Sequence, residues 1–165
     1  MKKACVTGHR PPRIGGYDPE NSLRRWVRGQ LRKAIEDVRP SIAYSGMALG
    51  VDQDFAEIVL DMGIPLICIL PFKGQESRWP EPAQFHYWRL VHRATDVITV
   101  CEPGYAAWKM QRRNERMVDE IGTEGVVIAV WDGSHGGTAN CVQYAAACGN
   151  RIIRLNPKDA TLERP

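Results

Sequence analysis

Between residues 45 and 57 the sequence reads SGMALGVDQDFAE. Two glycines four residues apart, small side chains between them and a carboxylate just beyond suit a close approach to the backbone. Where a strand gives way to a helix, glycines free the amides of residues 46–51 to converge on an anion, and the helix dipole adds to the attraction. Ser45, Gly46, Met47, Gly50 and Val51 build this turn. Asp52 follows in the first helical turn, placed to cap the helix or to accept from a ribose hydroxyl. Small residues here also suit plain strand–helix packing. The pattern is neither a Walker loop, which needs Gly-Lys-Ser/Thr, nor a G-x-G-x-x-G fingerprint.

Three further stretches carry similar chemistry. TGHRPPRIGGY (7–17) leaves a β-rich run through Gly8 and supplies His9, Arg10 and Arg13 as donors for a phosphate or carboxylate. RRNERMVD (112–119) offers Arg113 for charge and Asn114 for a base or ribose edge. WDGSHGGTAN (131–140) repeats the first pattern: a strand, the Asp132-Gly133 turn, then Gly136, Gly137 and Thr138 opening a helix. Its amides and the threonine hydroxyl make a second anion cradle. Two such turns on one sheet edge are economically explained by a nucleotide-sized ligand.

The elements that must position these turns follow from hydrophobic periodicity. Short apolar runs at 3–9, 41–46, 65–72, 96–101, 126–131 and 150–155 read as strands. Between them lie five helical segments, ending near Val38, Met62, Ala94, Ile121 and Cys148. The first is expected to begin at Asp18-Pro19, with Arg24, Arg28 and Arg32 running down the side opposite its apolar stripe. Strands alternating with helices predict an α/β fold: a Rossmann-like open, mainly parallel sheet with helices on both faces. Right-handed crossovers then bring all four turns to one sheet edge, where ligands bind in such folds. Residues 1–156 form one domain and 157–165 a polar tail, expected to fray.

The bulk numbers narrow the class. The chain of 165 residues carries a net charge of +3, too mild to imply nucleic acid by itself. No apolar stretch is long enough to span a membrane, and the N-terminus reads as that of a cytoplasmic protein. Five cysteines without a CxxC pair suit a reducing compartment. The four histidines never reach zinc-site spacing, so neither metal nor cofactor is expected.

Taken in order, TGHRPPRIGGY, SGMALGVDQDFAE, RRNERMVDE and VWDGSHGGTANCVQYA resemble the motifs of the SLOG superfamily, specifically its YpsA-like branch, over about residues 4–155. Relatives there include DprA-type single-strand DNA-binding proteins and LOG-type phosphoribohydrolases. The resemblance implies a pocket for a nucleotide or nucleotide derivative, in a homodimer. Gly8, His9 and Arg10 match the first motif; Ser45, Gly46, Met47, Gly50, Val51 and Asp52 the second; Arg113 and Asn114 the third; Asp132, Gly136, Gly137 and Thr138 the fourth. LOG enzymes carry a glutamate soon after this last turn. Here Thr138 is followed by Ala139-Asn140-Cys141-Val142-Gln143, without a carboxylate.

The leading expectation is therefore a binding module for a nucleotide-derived small molecule, of ADP-ribose or cyclic nucleotide type. The alternative is a hydrolase of a nucleotide N-glycosidic or phosphate bond, using Asp52 or Asp132. A second alternative is a single-stranded DNA-binding protein that uses the arginine ridge of the first helix with exposed aromatics. Trp79, Trp88 and Trp108 are the candidate dimer contacts.

Overall fold

The computed structural model describes residues 1–163. Along the chain lie β1 (Lys3–Gly8), α1 (Ser22–Val38), β2 (Ile42–Ser45), α2 (Val51–Asp61), β3 (Leu66–Phe72), α3 (Glu81–Arg93) and β4 (Asp96–Cys101). The second half holds α4 (Ala107–Ile121), β5 (Val126–Val130), α5 (Gly137–Ala147), β6 (Arg151–Asn156) and β7 (Thr161–Glu163). The sheet order is β4-β3-β2-β1-β5-β6-β7. The first six strands pair in parallel, and β7 alone runs antiparallel, against β6. This is the expected Rossmann-like α/β fold.

Strands this apolar need cover on both faces. One face is packed by Val27, Leu31 and Ile35 of α1, Phe55 and Val59 of α2, and Tyr87 and Leu90 of α3. Met117, Val118 and Ile121 of α4, with Cys141 and Ala145 of α5, cover the other. Every residue of β5, VVIAV, is buried between them.

The chain moves outward from β1 through β2 and β3 to β4, then returns to lay β5 on the free side of β1. The order of strands reverses at this point, and the segments leaving β1 and β5 diverge to opposite faces, opening a crevice. The register holds Ala4 opposite Val126 and Gly8 opposite Val130, so both strands end level. His9 N continues the ladder by donating to Val130 O at 3.3 Å.

Three local expectations are corrected. The first helix starts at Ser22, not at Asp18-Pro19: Asn21 is its cap and its side chain accepts from Arg24 N. Asp18 instead accepts from Glu20 N at 2.9 Å, closing a turn before the helix. Arg24 and Arg28 do not form a solvated ridge. Both reach Asp54 of α2, at 2.8 and 2.7 Å, and Arg24 is buried there. The tail is not simply frayed, since residues 161–163 add the backbone of β7 to the sheet, while residues 164–165 lie outside the described part. Among the described residues no helix is long and apolar enough to cross a membrane.

Candidate functional site

At the C-terminal edge of the sheet, over the β1–β5 crevice, lies a cleft of about 570 Å³. That is within the roughly 300–1,000 Å³ range typical of small-molecule sites. Nine of the residues expected to bind a ligand line it: Gly8, His9, Arg10, Asp52, Arg113, Asn114, Gly136, Gly137 and Thr138. Ser45, Gly46, Met47, Gly50, Val51 and Asp132 are not on its wall. They stand behind it.

The turn from β2 to α2 is closed on itself. Ser45 Oγ donates to Asp52 O at 2.8 Å and accepts from Met47 N at 3.2 Å. The Ala48 amide donates to Asp52 Oδ2 at 3.1 Å, and Val51 N to His9 O at 3.3 Å. These amides hold protein oxygens. The glycines serve packing: a Cβ on Gly46 would strike the Arg113 guanidinium, and one on Gly50 would sit 2.8 Å from His9 O. Gly50 also has φ +94°, a conformation L side chains rarely adopt.

Arg113 passes over Gly46 to donate to its carbonyl at 2.7 Å, while its Nε donates to Asn114 Oδ1 at 2.8 Å. Asn114 Nδ2 in turn donates to Gly137 O at 3.3 Å. One arginine–asparagine pair therefore ties α4 to both glycine turns. Arg113 is 7% exposed, and its second terminal nitrogen has no protein partner among the described residues, leaving one donor of a mostly buried guanidinium free at the cleft wall. Asp52 Oδ2 lies 3.8 Å from that guanidinium. Burial pushes the Asp52 carboxyl up from its ordinary value, against the pull of Arg113 and the Ala48 amide. Below it, burial raises the Cys141 thiol to about 11, so this cysteine stays protonated at neutral pH.

His9 and Asp132 form the hinge between the turns that follow β1 and β5. His9 Nε2 lies 3.0 Å from both the Asp132 amide nitrogen and Asp132 Oδ1. A neutral ring accepts from the amide, whereas a protonated ring donates to the carboxylate. Burial lowers the imidazole pKa despite the nearby carboxylate, favouring the neutral form. Burial also raises Asp132, but hydrogen bonds from Ser134, the electrostatic pull of His9 and a hydrogen bond from Arg13 outweigh it and hold this carboxyl well below the usual range. Arg13 Nη1 reaches Asp132 Oδ2 at 3.1 Å. Asp132 is thus an ionised brace.

The turn after β5 has the opposite character. No side chain caps α5, its first turn holds no acidic residue, and the first helical bond runs from Asn140 N to Gly136 O. The preceding amides of a helix have no partner within it, and here Gly136, Gly137 and Thr138 bring them to the cleft. Gly136 (φ 141°) needs glycine for its backbone; a Cβ on Gly137 would meet only open space. Arg10 is exposed beside them, and its side chain has no hydrogen-bond or ion-pair partner among the described residues. Among those residues no group of three or more His, Cys, Asp and Glu could hold a metal.

Sequence reasoning passed over the loop after β4. Tyr105, Ala107 and Met110 complete the cleft wall, and Lys109, buried, donates to the carbonyls of Glu102, Pro103 and Gly104 at 2.7, 3.2 and 2.7 Å. The one available signal was an aromatic placed directly after Pro103-Gly104. Of the tryptophans considered for dimer contacts, Trp79 packs edge-on against Tyr87, while Trp88 and Trp108 are 40% and 59% exposed.

Comparison with known proteins agrees with this architecture. The model of the YspA SLOG family matches residues 4–150. The SPbeta prophage-derived protein YoqJ of Bacillus subtilis (strain 168) is 34% identical over 131 residues, covering 68% of this chain and 75% of that protein. A UPF0398 protein of Brevibacillus brevis is 24% identical, over 96% of this chain and 90% of its own length. The X-ray structure of TM1055 superposes with a TM-score of 0.59 at 20% identity, covering 92% of this chain and 72% of that one. DNA processing protein A (DprA) of Streptococcus pneumoniae gives 0.64 at 16% identity, over 94% of this chain and 50% of that one. These two likenesses are of fold.

Proposed function

Given that the chain belongs to the YpsA (YspA SLOG) family, we propose that it is a binding module for a phosphate-bearing nucleotide derivative, which it senses, carries or sequesters. The observation that carries this reading is the uncapped start of α5 on the cleft wall, which also carries an exposed Arg10, its side chain unpaired among the described residues, and the mostly buried, part-free guanidinium of Arg113. Unused amides at a helix N-terminus, next to cationic donors, favour an anion. The closed turn before α2 orients Arg113 rather than touching the ligand. The reading includes a cytoplasmic homodimer.

A second reading draws on Asp52, whose raised pKa and place on the cleft wall fit a general acid for hydrolysis of a nucleotide bond. Asp132, held ionised and off the wall, does not serve it. The DNA-binding reading loses its ridge to the Arg24 and Arg28 pairs with Asp54.

Mass spectrometry of small molecules released on denaturing the purified protein identifies the ligand, which is then titrated back. Arg10→Ala should weaken it by about 1.5–3 kcal/mol, as for a charged hydrogen bond, and Gly137→Val should abolish binding. Normal binding by Gly137→Val would end the anion-cradle reading. Turnover of a nucleoside monophosphate, lost in Asp52→Asn, would replace binding by hydrolysis.

A further inference from the structure

Tyr105 is 69% exposed, yet little about its surroundings is loose. The three residues before it are clamped by a single ammonium, because Lys109 Nζ donates to the carbonyls of Glu102, Pro103 and Gly104. That ammonium is itself held 5.6 Å from the centroids of both Phe72 and Trp108. Phe72 also meets the Tyr105 ring edge-on, at 6.4 Å between centroids and 84° between planes. Burying a lysine to saturate three loop carbonyls is costly unless the loop's position matters. Its product is a held stretch of backbone that presents an aromatic ring, largely open to solvent, on the cleft wall.

The wall is chemically divided. Arg10, Gly136 and Thr138 supply charge and amides, whereas Tyr105, Ala107 and Met110 supply apolar surface. Other strongly exposed aromatics, such as Tyr17, Phe85 and Trp108, are not on it. An exposed aromatic ring at such a site is the usual partner of a nucleobase, since every base offers a π-face.

We propose that Tyr105 is the stacking platform for a planar ring of the ligand, making the site selective for phosphates that carry a base over phosphates that do not. This rests on the anion-cradle reading and adds to it the residue that selects the ligand's other end.

The test uses AMP and ribose 5-phosphate as probes, titrated calorimetrically into the full chain and into Tyr105→Phe and Tyr105→Ala. Wild type should bind AMP about tenfold more tightly than ribose 5-phosphate, the lower part of the range for one base–aromatic stack. Tyr105→Phe should keep that preference, because the ring remains. Tyr105→Ala should erase it by weakening AMP alone. Equal affinity of wild type for the two probes, or an unchanged preference in Tyr105→Ala, overturns the platform and leaves the phosphate cradle standing. If wild type binds neither probe, the cradle and the platform fall together.

Discussion

The turns at residues 45–52 and 131–140 both carry glycines from a buried strand into an 11-residue helix, on the same edge of one sheet. Before α2 the chain supplies its own anions. Asp52 and Asp54 occupy the first helical turn, Asp52 takes the Ala48 amide, and Gly46 and Gly50 exist to let Arg113 and the His9 carbonyl pass close. Before α5 the chain supplies none, so the dipole and amides stay unspent and face a cleft. Glycine at a helix mouth therefore does not mark a binding loop by itself. What distinguishes the two is whether the first turn brings a carboxylate.

The contrast is open to breaking by mutation, and stability is the sharpest readout of the closed turn. Gly50→Val combines a positive φ with backbone at 2.8 Å, and it should destabilise by about 3–5 kcal/mol in urea titrations. A loss below about 1 kcal/mol would mean the closed turn is no more constrained than the open one. Asp52→Ala leaves the Ala48 amide and one side of a buried guanidinium unmet. The expected cost is about 2 kcal/mol.

A pH dependence sharpens the role of the hinge between the turns. Because burial lowers the His9 pKa, the unfolded chain binds a proton that the folded chain refuses as pH falls below 6.5. Stability is then lost on acidification from that point down through the folded value. The drop in melting temperature between pH 7 and pH 5 should be smaller in His9→Gln than in wild type, and an equal drop would show that the ring accommodates its proton without cost. Least affected should be Gly137→Val, whose added side chain enters open space at a helical residue. Its stability should stay within about 1 kcal/mol of wild type.

The layout of the fold was legible because its signals are local: apolar runs of strand length, helical periodicity between them, and turn residues at each boundary. The cleft was legible too, since the crossover rule alone gathers turns onto one edge, and Gly8, Arg113 and Gly137 do meet there. Where Gly46 would point was not. Its neighbour, Arg113, lies 67 positions away, and no local pattern says which side chain crosses which backbone. The start of α1 shows the same limit in miniature, since Asp18 and Asn21 are both good caps, and only the turn closed by Asp18 decides between them. Lys109 gave no sign at all, as a lysine in a polar helix reads as solvated until the loop folds over it.

The adjacency of β1 and β5 has a consequence in time. Ala4 pairs with Val126, whereas β2, β3 and β4 each pair with the strand before them in the chain. One half of the cleft leaves the first strand and the other half leaves the fifth, more than 100 residues later. During synthesis the strands from β1 to β4 gain their partners as they emerge, but the wall formed by Gly136, Gly137 and Thr138 has nothing to face until β5 docks. The loop that closes then is the longest in the sheet, and its entropy grows only slowly with length, while the search for so distant a partner slows folding. The cleft thus comes into being only after β5 and the start of α5 have emerged, and a nascent chain that stops before residue 136 lacks one of its walls.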